Sequence, residues 1–113
     1  MGAHHHQDFA IGRFKSAFEA YQECCAEAHY QHGHDGYNGT ISTSDGFKMV
    51  TKHPRYGTQK FWKFVEDTMD GTKWSRWNCI EIKGAMLKRM KEQEGYKDKR
   101  NIRAFFFWGL AAT

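Results

Sequence analysis

The sequence predicts an α+β domain: a mostly antiparallel sheet with two or three helices packed on one face, formed by residues 1–113 as a single unit. Three observations predict it. Phe9 and Ile11 fall on one side of a polar/apolar alternation over residues 5–11, the period of a strand. Apolar residues recur at helical spacing over 17–28 and again over 59–70. A third run, 102–111, is dense in aromatics and reads as a central strand buried on both faces.

The elements follow in order. Gly12 ends the first strand, and Ser16 with Glu19 three residues on forms a capping box that starts a helix. Ala17, Phe18, Tyr21, Cys24, Cys25 and Ala28 give that helix one apolar stripe, with Glu19, Gln22, Glu23 and Glu27 on its wet side. Gly33 suits the position just past the helix end. Residues 39–43 and 47–51 are two short β-rich runs, and Asp45-Gly46 between them predicts a hairpin. Thr58 caps a second helix over 59–70, whose buried face is Phe61, Phe64, Val65 and Met69. Residues 79–83 read as a strand, and Met86, Leu87 and Met90 predict a short third helix over 85–94.

A chain of 113 residues buries one core without staples, and nine Phe and four Trp supply much of it. No apolar run approaches the roughly 20 residues of a membrane span, and the N-terminus lacks the apolar region of a signal peptide. The three cysteines, two of them adjacent, are no disulfide framework, so the expectation is reduced thiols in a cytoplasm. Charge is segregated. Residues 1–50 carry three Lys/Arg against six Asp/Glu, whereas 51–113 carry fourteen against seven. A basic half fits an anionic partner such as nucleic acid or an acidic protein face, although basic surfaces also serve solubility.

Two constellations carry candidate chemistry. The first is Cys25 and His29, which share a helix face, followed by His32, His34 and Asp35. These are ligand types for zinc and other transition metals. Their spacing matches no standard site, and a polar helix end with solvated histidines explains them more simply. The set His29, His32, His34 and Asp35 is therefore a minority metal or hydrolase hypothesis. No nucleophile elbow and no phosphate-cradling loop accompanies it, so the reading leans away from an enzyme and calls for no cofactor. The second is Lys52-His53-Pro54-Arg55-Tyr56 with Lys60, Trp62 and Lys63, followed by Lys73, Trp74, Arg76 and Trp77. Cations interleaved with aromatics suit phosphates and unpaired bases, and an exposed Trp beside Arg is a common protein-interface anchor. Trp62 falls off the buried stripe of its helix. Trp74 and Trp77 precede a strand, where a lid on the core competes with a contact role. The candidate binding set is Arg55, Tyr56, Lys60, Trp62, Lys63, Trp74, Arg76 and Trp77.

Three segments carry a resemblance: Met1-Gly2-Ala3-His4; Tyr37-Asn38-Gly39-Thr40-Ile41-Ser42-Thr43 with Gly46-Phe47; and Phe106-Phe107-Trp108-Gly109-Leu110-Ala111-Ala112. Together they resemble small proteins encoded by bacteriophages and related mobile elements. The resemblance implies a phage-type gene acting in a bacterial cytoplasm and assigns no activity or site residue. The expectation is then a non-enzymatic accessory protein that binds a host or phage macromolecule, an inhibitor of a host defence system being one version. A nucleic-acid binder using the basic half is the alternative, and a metal-dependent hydrolase the third reading. A host or phage protein is the first partner expected and no membrane is; oligomeric state stays open.

Overall fold

A computed structural model describes residues 3–32, 41, 44–69, 76–96 and 100–112. Their elements run β1 (Ala3–Gly12), α1 (Ala17–His32), β2 (Phe47–Met49), α2 (Gln59–Asp67), β3 (Trp77–Ile82), α3 (Gly84–Gln93) and β4 (Arg103–Ala112). The strands form one sheet in the order β1-β4-β3-β2. β4 pairs antiparallel with β1 and β3, and β2 pairs parallel with β3. The fold is the expected α+β class, a mixed and mostly antiparallel sheet with three helices.

The helices do not share one face. On one side Ala20, Cys24 and Ala28 of α1 pack with Trp77, Cys79, Phe105 and Phe107. On the other, Phe61 and Val65 of α2 join Met86, Leu87 and Met90 of α3 over Ile80, Ile82, Ala104, Phe106 and Trp108. The cause lies in β4. Its odd and even residues are both apolar and both buried, so each face of the sheet needs its own cover. The large rings of the α1 face are met by small residues four apart on α1. Phe18, expected in that stripe, is instead 57% exposed.

Of the expected hairpin, the second arm is described, as β2. β2 has β3 as its neighbour, with α2 as the crossover between two parallel strands. Gly46 does adopt the left-handed conformation, at φ +95°. Its N–H donates to the Tyr21 hydroxyl at 3.0 Å, and its carbonyl accepts from Trp77 N–H at 2.9 Å. The bend is thereby tied to α1 and β3. Of the other predicted arm, residues 39, 40, 42 and 43 lie outside the described residues, as does Gly33.

The caps form as the sequence implies. Ser16 Oγ accepts from Glu19 N–H at 3.3 Å, while Glu19 Oε2 reaches back to Lys15 N–H at 3.2 Å. Thr58 Oγ1 accepts from Phe61 N–H at 3.2 Å. α2 stops at Asp67, short of the expected residue 70, because Thr68 acts as a tie. Its hydroxyl donates to the Phe64 carbonyl at 2.7 Å and accepts from the Trp108 indole N–H at 2.8 Å. Its carbonyl accepts from the buried Asn78 amide at 3.0 Å. No helix among the described residues is long and apolar enough to cross a membrane.

Candidate binding surface

The basic-aromatic surface is assembled by the loop 51–58 and α2. Gly57 (φ +87°) turns the chain into the Thr58 cap, and α2 then lays Phe61 and Val65 into the core. That rotation turns Lys60, Trp62 and Lys63 outward. Trp62 is 37% exposed, yet its ring sits 5.2–5.8 Å from those of Phe61, Phe106 and Tyr56. Tyr56 packs in turn on Phe61 at 5.2 Å and Phe106 at 5.5 Å. These are edge-to-face contacts, which hold a ring in place beyond simple burial. Burial also pushes the Tyr56 phenol up from its ordinary value, so it stays a neutral hydrogen-bonding group.

Charge on α2 runs against the helix dipole. Lys60 lies in its first turn, where there is no acid, Lys63 at its middle, and Glu66 and Asp67 at its end. α3 also begins without an acid or a side-chain cap, at Lys83. A hollow of about 280 Å³ lies beside that start, lined by His53, Arg55, Tyr56, Lys83 and the acidic Glu81 among others. Both helices thus begin with a lysine and no compensating acid, Lys60 in the first turn of α2 and Lys83 at the cap of α3.

The structure brings Arg55, Tyr56, Lys60, Trp62 and Lys63 together and leaves other candidates apart. Arg76 is exposed but precedes the first residue of β3, at the opposite end of that strand from Lys83. Trp77 does not belong to the surface. It is fully buried in β3, its indole N–H donating to the Leu110 carbonyl at 3.3 Å. A Cβ on Gly109 would stand 2.6 Å from its ring, so the glycine makes room for it. Trp74 lies outside the described residues.

Only half of the histidine set falls among the described residues. His29 lies near the end of α1 and His32 is its last residue, while His34 and Asp35 lie outside the described residues. Among the described residues no group of three His, Cys, Asp or Glu side chains is placed to hold a metal. Cys24 and Cys79 are buried and Cys25 is half-buried. Burial pushes Cys24, Cys25 and Cys79 up, the last to about 12, away from the thiolate range of a nucleophile.

Sequence reasoning missed Thr68, Gly109 and the Arg103–Glu81 pair. Arg103 Nε and Nη2 bond both Glu81 carboxylate oxygens, at 3.0 and 2.9 Å, and Nη1 donates to the Lys15 carbonyl at 2.7 Å. None had a local signal, because each partner lies on another strand or helix. No protein-family model, curated protein or solved structure matches the chain.

Proposed function

We propose that the chain is a non-enzymatic binding protein of bacteriophage type that docks a host or phage protein through Arg55, Tyr56, Lys60, Trp62 and Lys63. One observation carries the reading: Trp62 is part-exposed but fixed on three rings, amid exposed cations. A pre-positioned Trp loses little freedom on binding, and Trp and Arg are the residues interfaces most often use as anchors. The partner face is acidic. Inhibition of a host defence protein is one role such docking serves.

The test is affinity capture from a nuclease-treated bacterial lysate, with the wild type and Trp62→Ala compared at equal melting temperature. The proposal expects a saturable partner whose retention falls at least tenfold in the variant. Equal retention, or nothing saturable, contradicts it.

A second reading has its own support. The reversed charges of α2 and the acid-free start of α3 concentrate positive potential beside an aromatic ring, which suits single-stranded nucleic acid. It expects affinity that falls steeply with salt, through counterion release. Salt-independent or absent binding of an oligonucleotide removes it.

A further inference from the structure

We propose that the outer edge of β1 is a second docking site, a groove that takes an extended segment of a partner protein with basic and apolar residues in alternation, added to the sheet as a fifth strand.

β1 is ten residues long and lies at the edge of the sheet, where no described strand covers its outer side. Two bonds show which backbone groups face outward. Phe9 N–H donates to the Asp8 carboxylate at 2.8 Å, and the Ile11 carbonyl accepts from the Tyr96 hydroxyl at 3.2 Å. Odd-numbered residues therefore turn their backbone groups away from β4, and strand alternation extends the row to Gln7 and His5. The two capped groups are held by side chains, which an incoming strand can displace.

A groove of about 520 Å³ follows this edge, and its lining shows that it wraps the edge itself. Phe9 and Ile11 line it from the α2/α3 side of the sheet, and Cys24 and Ala28 of α1 from the other. Strand-lined grooves of this kind are read by main-chain bonds for affinity and by alternate side-chain contacts for specificity.

The walls determine the occupant. Glu23 and Glu27, four residues apart on α1, line one wall together with Asp8. The opposite wall is apolar along Phe9 and Ile11 and ends at Glu94. Among the described residues no lysine or arginine lines the groove. An added strand presents successive side chains to opposite walls. Basic residues at every second position then meet Asp8, Glu23 and Glu27, and apolar ones meet Phe9 and Ile11. A second copy of the chain fits poorly. Pairing β1 with β1 of another copy sets two acidic grooves against each other, and like charges facing across an edge oppose association. A partner main-chain carbonyl that takes Phe9 N–H frees the Asp8 carboxylate to pair with the incoming cation.

The experiment titrates the whole protein with an acetylated, amidated octapeptide of alternating lysine and valine, read by calorimetry and by amide NMR shifts. The proposal expects saturable binding with shifts centred on Gln7, Phe9 and Ile11. The glutamate–valine peptide binds at least tenfold more weakly. N-methylation of the lysine–valine peptide in one alternate phase removes the N–H groups that face β1 and costs at least tenfold, while methylation in the other phase does not. Glu23→Lys with Glu27→Lys, on the exposed side of α1, weakens binding at least tenfold. So does Gln7→Pro, which removes an outward N–H and leaves the β1–β4 bonds in place. Three results overturn the proposal: no saturation at millimolar peptide, equal effects of the two methylation phases, or a dimer of the free chain in sedimentation that Gln7→Pro dissolves. Trp62→Ala leaves this titration unchanged, so the outcome is separable from that of the α2 surface.

Discussion

The two edges of the sheet are built on opposite plans. The β1 edge is ten residues long, and its groove is lined by Asp8, Glu23, Glu27 and Glu94. The β2 edge is three residues long and leads through Lys52, His53 and Arg55 into the cationic face of α2. Long edges invite pairing, and short edges avoid it. The chain guards the long one with side-chain caps and acids, and leaves the short one to a basic-aromatic helix. The charge segregation of the sequence is thus a segregation in space. The acidic half supplies Asp8, Glu23 and Glu27 of the β1 flank, and the basic half supplies α2 and the start of α3.

Both edges hang on β4, so the largest effects should come from there and strike both. Phe106→Ala removes a ring that packs on Tyr56, Phe61, Trp62 and Trp108. Denaturant unfolding should show a loss of about 3–5 kcal/mol, as for a buried Phe truncated in a packed core. Thr68→Val acts on the α2/α3 face of the sheet. It leaves the Trp108 indole N–H without its acceptor, and unfolding should register a loss of about 1–3 kcal/mol.

The Arg103–Glu81 pair sits on the α1 face and gives a pH signature. Hydrogen bonds from Arg103 hold the Glu81 carboxyl below its usual value against the opposing effect of burial. Its contribution is therefore fully present above the ordinary glutamate range and is lost as pH falls through the lowered value. Thermal melts from pH 7 downward should show a steeper acid decline for the wild type than for Glu81→Gln. The smallest effect has the opposite sign. Lys60→Glu places an acid in the first turn of α2 and should stabilise the fold by about 0.3–1 kcal/mol in thermal melts. A protein tuned only for stability would carry that acid. A lysine there is what the proposed binding role of α2 would require.

The sequence made the local features legible. Alternation located β1, caps at Ser16 and Thr58 located α1 and α2, and the aromatic run located β4 as the central strand. It was least informative where a residue's partner is remote. A strand apolar on both sides already implied cover on both faces, yet the helices were expected on one, because period alone does not say which face a helix takes. Asp45-Gly46 carried a turn signal, and the bend, held by Tyr21 and Trp77, leads into a strand whose parallel partner β3 lies too far along the chain for a local signal. Trp62 was legible as the aromatic off its helix stripe. Trp77 was ambiguous until Gly109 was seen to make room for its ring. Glu23 and Glu27 read as an ordinary wet face, since only the sheet edge beside them gives them a groove.

The most direct test reverses the charge of the α2 surface while strengthening its helix. Lys60→Glu with Lys63→Gln should melt no lower than the wild type, since the new acid lies in the first turn and no acid is set beside Glu66 and Asp67, and yet lose at least tenfold in capture of a partner from nuclease-treated bacterial lysate. Undiminished capture by this equally stable variant would contradict the account, because α2 would then be only the lid of the core.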